Sequence, residues 1–184
     1  VQEHAVYAGM VEAMDLAVGK VLDALDEQGL ADNTIIFFTS DNGGLSTSEG
    51  HPTSNLPLRG GKGWLYEGGI REPLIIRWPG ITTAGSTSHQ TIISTDYFAT
   101  IAKMTNIESP HHDGLDLTQL LREHTPLPDR PIFWHYPHYG NQGGSPGSAI
   151  RLGDWKLIEF FEDSRVELYN LEQDIGETND LAGR

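Results

Sequence analysis

Every position of Ile35-Ile36-Phe37-Phe38 is apolar, so a strand built from it has no face suited to water. Such a strand belongs inside a layered α/β sheet, with cover on both sides. The run stops abruptly at Thr39-Ser40-Asp41-Asn42-Gly43-Gly44. In open α/β sheets, ligands sit just beyond the carboxyl ends of strands, which makes Asp41 and Asn42 candidate ligands. A carboxylate and a carboxamide oxygen suit Ca²⁺, or Mg²⁺, better than a soft transition metal. A plain turn explains the same tetrapeptide, because Asp, Asn and Gly favour turns for backbone reasons. The four residues alone do not separate these readings.

The surrounding pattern fits the layered sheet. Residues 5–28 have helical periodicity, with Met10, Met14, Val18, Val21, Leu22 and Leu25 on one stripe and Gly29 placed to end the helix. The strand 34–40 follows, then a long Gly/Ser/Thr/Pro loop over 43–63. Loops of that length in a compact domain usually carry function. A second buried-type strand spans 73–78, a shorter one 90–93, and helices are expected at 96–105 and 114–122. This order predicts an α/β fold with a mostly parallel sheet and flanking helices over residues 1–130. Beyond about residue 126 the elements become short strands between tight turns, at 132–139, 149–152, 155–161 and 166–169. They predict a small antiparallel-sheet subdomain over 131–184.

Composition excludes some functions. With 12 Lys and Arg against 26 Asp and Glu, the formal charge is −14, which argues against a nucleic-acid partner, because phosphate contacts need clustered cations. No apolar run is long enough to cross a membrane. Without cysteine the chain has no disulfide, thiolate metal site or cysteine nucleophile.

A second stretch carries chemistry: Asn55-Leu56-Pro57-Leu58-Arg59-Gly60-Gly61-Lys62-Gly63-Trp64-Leu65-Tyr66-Glu67-Gly68-Gly69-Ile70-Arg71-Glu72-Pro73. A lysine among glycines can bring its ammonium close to an anion. It is no P-loop, because Gly63 stands where Ser or Thr is needed and Leu56 where the first glycine is needed. Alone, it reads more simply as a flexible glycine hairpin with a solvated lysine.

Together the two stretches are specific. TSDNGG followed by PLRGGKGWLYEGGIREPLIIRWPG, STDYFATIAKM, DGLDLTQLL, LGDWKLI and VELYNLEQDIGETNDLA resembles the type I sulfatase family, of the alkaline-phosphatase-like superfamily, along essentially the whole chain. The resemblance implies the C-terminal portion of that fold. It also implies hydrolysis of sulfate monoesters of a carbohydrate or aryl alcohol. Asp41 and Asn42 match half of a metal site that usually holds Ca²⁺, and Lys62 matches the lysine that grips a sulfate oxygen. His51 and Asn55 would line the substrate pocket, with His138 as a further pocket residue. Glu67, Arg59 and Arg71 are read as structural ion pairs or loop braces.

The family nucleophile is a formylglycine made in a C/S-x-P/A-x-R motif, which this sequence lacks: Ser145-Pro146-Gly147 and Ser109-Pro110-His111 do not fit. The paired Asp ligands and the leaving-group Lys and His are also missing. The chain is therefore expected to be a fragment, inactive and weak in metal binding alone, whose partner is the missing N-terminal half of the same enzyme. A periplasmic, secreted or lysosome-like compartment goes with the resemblance. A phospho- or phosphonate-ester hydrolase of the superfamily, and a non-catalytic binding or assembly module, stand as alternatives.

Overall fold

The computed structural model describes residues 3–46, 53–108 and 111–183. Helix α1 (Ala5–Glu27) starts where the His4 imidazole accepts the Tyr7 N–H. It ends as the sequence predicts. Gly29 takes φ +66° and donates to the Asp26 carbonyl, while Leu30 donates to that of Leu25. That pair of bonds satisfies two orphan carbonyls, and the left-handed backbone suits glycine. No residue of α1 is buried: Met10 is 63% exposed and Val21 61%. Its apolar stripe has no cover among the described residues.

Strands β1 (Ile36–Thr39) and β2 (Leu74–Arg77) form a two-stranded sheet. Its pairing is antiparallel, Ile36 opposite Arg77 and Thr39 opposite Leu74, which corrects the parallel expectation for this pair. The reason lies in the connection. A parallel return needs a crossover of a dozen or more residues, usually a helix, and the described connection holds only the four-residue helix α2 (Glu67–Ile70). The remainder is loop, so the chain doubles back. The expected full burial of β1 is also not reached; Ile36, Phe37 and Phe38 are half-buried.

Helix α3 (Thr95–Met104) matches its prediction, and Phe37 packs on its Tyr97 with ring centroids 5.5 Å apart. Residues 90–93 are not a strand. The Ile93 N–H is taken by the Asp96 carboxylate, and the Gln90 carboxamide accepts the Leu127 N–H; side chains replace a ladder partner. Asp96 is fully buried and also accepts from the Leu115 N–H and the Arg130 guanidinium. Thr100 adds a bond from Leu117 N–H to its hydroxyl. These contacts dock helix α4 (Thr118–Glu123), which begins four residues later than the pattern suggests, onto α3.

The second sheet is an antiparallel meander, β3 (Ile132–Tyr136), β4 (Gly147–Leu152), β5 (Trp155–Phe160) and β6 (Val166–Asn170). Along β5 the inward residues are Lys156, Ile158 and Phe160, and the outward ones Trp155, Leu157 and Glu159. Ile158, Phe160, Ala149, Tyr169 and Leu171 form one core with Leu65 and Tyr66 from the glycine-rich stretch. Trp134 and Tyr136 pack against it. The small sheet is thus a platform beneath the Lys62 segment.

Replacing Asp96 by Ala leaves the Arg130 charge largely buried and unpaired. Loss of one partner of a buried pair costs about 3–5 kcal/mol. The expected outcome is a loss of that size in the free energy of urea unfolding; a change below about 1 kcal/mol would show that Asp96 does not hold α3 and α4 together.

Candidate active site

Two glycine-rich backbones lie directly on one another. The Gly43 N–H donates to the Gly69 carbonyl at 3.0 Å, and the Lys62 N–H donates to the Gly44 carbonyl at 3.1 Å. The Gly68 N–H reaches the Arg59 carbonyl at 2.8 Å, folding the segment back on itself. The Asp41-Asn42 turn and the Lys62 turn, distant in sequence, are therefore held side by side by direct main-chain hydrogen bonds.

Only glycine permits this approach. A Cβ on Gly43 would stand 1.8 Å from the Gly68 carbonyl oxygen, and one on Gly61 would stand 2.5 Å from that of Gly44. Both obstacles are backbone, which cannot swing aside. Gly60 and Gly63, on either side of Lys62, have φ of +71° and +88°, where a side chain is strained. The glycines that looked like flexibility in the sequence thus work as close-packing residues.

Each predicted residue can now be placed. Asp41 follows the end of β1, exposed, and its carboxylate makes no hydrogen bond or ion pair among the described residues. Its charge is felt by Glu72. Burial, and then the Asp41 carboxylate, push the Glu72 carboxyl above its ordinary value. Asn42 is half-buried on the same turn, and its carbonyl accepts from the Ser40 hydroxyl. Lys62 is exposed, and its ammonium has no acidic partner among the described residues. Asn55 is turned into the loop; its amide nitrogen reaches the Gly44 and Gly60 carbonyls at 2.8 and 3.1 Å and the Ser46 hydroxyl at 3.2 Å. His51 lies outside the described residues. His138 is exposed beyond the end of β3, edge-on to Tyr136. Tyr139 is 71% exposed, whereas Trp134 and Tyr136 are partly buried against the core.

The loop that carries His138 onward touches the Lys62 turn. A Cβ on Gly144 would meet the Gly63 carbonyl at 2.1 Å, and one on Gly143 would meet the Trp64 indole at 2.7 Å. By contrast, a cleft of about 710 Å³ between residues 53–60 and Gly176–Thr178 includes Asn55 and Arg59 but neither Lys62 nor Asp41. Its Arg59 is committed: the guanidinium donates to the Tyr169 hydroxyl and the Glu177 carbonyl, both at 2.8 Å, and lies 3.8 Å over the Tyr66 ring. The exposed Asp41 and Lys62 side chains thus lie at the apposed turns and outside that cleft.

Residues 2–107 match the family profile Sulfatase, and residues 61–184 match N-sulphoglucosamine sulphohydrolase, C-terminal. The chain belongs to the sulfatase family. It is 39% identical to a sulfatase of Formosa agariphila over 95% of its own length and 35% of that protein's. To the N-acetylgalactosamine-6-sulfatase of Mus musculus it is 38% identical, covering 82% of this chain and 28% of that one. This sulfatase chain thus spans about a third of the length of the curated relatives it matches. Among solved structures, that of Ps i-CgsB with k-i-k-neocarrahexaose superposes with a TM-score of 0.82 at 32% identity, over 98% of this chain and 39% of that one. One solved with its substrate D-glucosamine-2-N,6-O-disulfate superposes at 0.76 and 31% identity, over 95% of this chain and 35% of that one. These neighbours give the architecture: an alkaline-phosphatase-like fold, of which this sulfatase chain covers part.

Behind the turn of this sulfatase lies a charge cluster that sequence reasoning missed. Lys156, fully buried, stands 3.0 Å from Glu67 Oε1 and 2.8 Å from Glu177 Oε1. Glu177 Oε1 accepts no well-directed hydrogen bond, so the second contact is an ion pair. Glu67 also meets Arg71 at 3.6 Å and Arg151 at 3.5 Å, the bracing role expected of Glu67 and Arg71. The missed signal was the alternation in Trp-Lys-Leu-Ile-Glu-Phe, which puts Lys156 on the same face as Ile158 and Phe160.

The clashes make a graded prediction. Gly43→Ala meets rigid backbone and should destabilise by about 1–3 kcal/mol or more. Gly140→Ala would meet the side-chain Tyr136 hydroxyl at 3.1 Å and otherwise make ordinary contacts, with Gln142 Oε1 at 3.5 Å and the Gly143 carbonyl at 3.8 Å, and should stay within about 0.5 kcal/mol of the parent. Equal effects in thermal unfolding would refute the close-packing role.

Proposed function

We propose that this chain is the part of a sulfuric ester hydrolase that supplies the sulfate-gripping lysine and half of a metal site. The observation that carries the reading is Lys62: a cation without an acidic partner among the described residues, on a turn fixed by main-chain hydrogen bonds beside Asp41 and Asn42. An ammonium held there donates charge-assisted hydrogen bonds to a sulfate oxygen and offsets negative charge as the ester bond breaks. Preorganised donors of this kind are usually the largest single contribution to such catalysis. Because the turn is already folded, little ordering remains to be done when substrate binds.

Asp41 and Asn42 fit a hard cation by donor type and by exposure, and the Asp41 charge that presses on Glu72 is not neutralised by any described cation. Ca²⁺, or Mg²⁺, held there would supply Lewis-acid polarisation of a sulfate oxygen. Its remaining ligands and the formylglycine nucleophile belong, on this reading, to a part of the enzyme outside this chain. The chain alone would then turn over no substrate. Asn55 holds the loop closed rather than facing the ligand, and His138 stands near the rim with the 140–144 loop. His51 keeps its proposed pocket role.

The substrate class is a sulfated carbohydrate, or an aryl sulfate. Support comes from similar proteins solved with a neocarrahexaose and with a disulfated glucosamine. No helix among the described residues is long and apolar enough to cross a membrane; a periplasmic, secreted or lysosome-like compartment completes the reading. A phosphonate monoester hydrolase superposes with a TM-score of 0.67 at 24% identity, so the fold also accommodates that chemistry.

In the full-length enzyme, Lys62→Ala should lower kcat/KM for an aryl sulfate by about 10²–10³-fold, the cost of one transition-state donor, with unfolding unchanged. Unaltered turnover would refute the sulfate-gripping role, and preference for the matching phosphonate or phosphate ester would reassign the substrate. A parent enzyme with no esterase activity would favour a binding module. Titration with Ca²⁺ gives an independent readout. Neutralising Asp41 removes a like charge from Glu72, so the Glu72 carboxyl should titrate at lower pH when the ion is bound, as followed by carboxyl carbon resonances. No movement would place the ion elsewhere.

A further inference from the structure

We infer that Lys156 is a positioning residue for Lys62, acting through the carboxylates of Glu67 and Glu177; this rests on the reading of Lys62 as the anion-gripping group. Lys156 never approaches the surface: its side chain is 0% exposed, as is that of Glu177, and that of Glu67 is 2% exposed. Its ammonium lies between the two carboxylates at 3.0 and 2.8 Å. The other oxygen of Glu177 accepts the Glu67 N–H at 2.7 Å, closing a ring of main-chain and ionic contacts around the first residue of α2.

That residue is the node between the two turns. The next two residues make the bonds that define the site: Gly68 N–H to the Arg59 carbonyl, and the Gly69 carbonyl to the Gly43 N–H. One of these fixes the strand of loop that leads into Lys62, and the other fixes the turn that carries Asp41 and Asn42. Shifting Glu67 therefore shifts Lys62 and the candidate metal ligands together. Lys156 is the second residue of β5, an inner strand paired on both sides, with Arg151 and Tyr169 opposite it, so the anchor is well held. The sheet thereby holds the glycine-rich segment through this buried cation, alongside the Arg151 ion pair and the packing of Leu65 and Tyr66.

The arrangement has a chemical logic beyond cohesion. The two buried carboxylates are matched by Lys156 and the mostly buried Arg151, with the more exposed Arg71 also against Glu67. Glu67 is therefore held away from Lys62, and the only acidic group on that short segment ahead of Glu72 does not compete with a sulfate for the lysine. Positioning Lys62 and keeping it unpaired follow from the same contacts.

Removing Lys156 alone would strand two carboxylates and could prevent folding. The decisive variant in the full-length enzyme is the neutral, nearly isosteric set Glu67→Gln, Lys156→Met, Glu177→Gln, made with Lys62 present and with Lys62→Ala. Misplacement by about 1 Å is enough to lower a rate by around 10²-fold. The expected result is a kcat for an aryl sulfate reduced at least tenfold when Lys62 is present. With Lys62→Ala the same set should cause little further loss, a non-additive cycle. A crystal structure of the neutral set should show residues 59–69 displaced from the parent position. Additive losses, or a segment that superposes on the parent, would overturn the inference. If the parent hydrolyses no sulfate ester, the function reading fails, and the crystal comparison alone decides whether Lys156 positions the turn.

Discussion

The contact between Gly43–Gly44 and the 60–69 segment is main chain against main chain, and the rest of the site hangs on it. Hydrogen bonds of about 3 Å between backbone groups are short and directional, and they leave no room for side-chain repacking. A turn made this way has one geometry rather than several. The cost falls on the sequence: Gly43, Gly61, Gly68 and Gly69 would each drive a Cβ to within 2.5 Å of a carbonyl oxygen. In exchange, a carboxylate, a carboxamide and an ammonium from distant parts of the chain project from one rigid surface. That surface is formed by loops, yet it does not behave as a loop.

Rigidity of the upper layer requires a foundation, and the C-terminal segment provides it. Glu177 adopts φ +50°, an unusual conformation for a residue with a side chain. The bend turns its carboxylate inward, where burial holds its pKa above the ordinary value, an effect that the Lys156 ammonium only partly offsets. The segment is pinned on both sides. Burial raises the Asp174 carboxyl, but hydrogen bonds from Asn179 and Thr178 outweigh this and hold it below the ordinary value. The Ala182 and Leu168 N–H groups do the same for Asp180. A strained backbone persists only where neighbours over-determine it, and these two aspartates are those neighbours.

Much of this was readable in the residues. Helix α1, its Gly29 terminus, α3 and the four strands of the meander follow from periodicity and turn chemistry. The antiparallel pairing of β1 with β2 did not, because an apolar run reports burial and not direction; direction depends on a connection whose folding is set by tertiary contacts. Residues 90–93 have a strand composition, but Asp96 claims the Ile93 N–H, a competition that propensity cannot register. At the site, the glycines read as room for an anion or as flexibility, and their role in backbone-to-backbone packing depends on partners distant in sequence; Asn55 read as a pocket residue, and its amide nitrogen also braces the loop. Lys156 was the least legible: a lone lysine in a strand is ordinarily solvated, and only its place in the alternation, with acids far away in sequence, shows that it is buried.

The overall charge sharpens what the site must accomplish. At a formal −14, the long-range field of this chain opposes a sulfate monoester, which is itself an anion. Such repulsion is screened beyond about 8–10 Å at ordinary ionic strength, so it governs approach more than the bound state. On the proposed reading, the net charge of this chain does not steer such a ligand in, and recognition by its own groups is short-range. The cations are arranged accordingly. Arg59, Arg130, Arg151, Arg165 and Lys156 all lie against acidic groups in the framework. Lys62, like Lys20, Arg77, Lys103 and Arg122, has no ion pair among the described residues and differs from them in standing on the main-chain-bonded glycine turn. An acidic protein can hold an anion if one lysine is kept in place and the acids near it are occupied by other cations; the glycine turn does the first, and the cluster around Glu67 does the second.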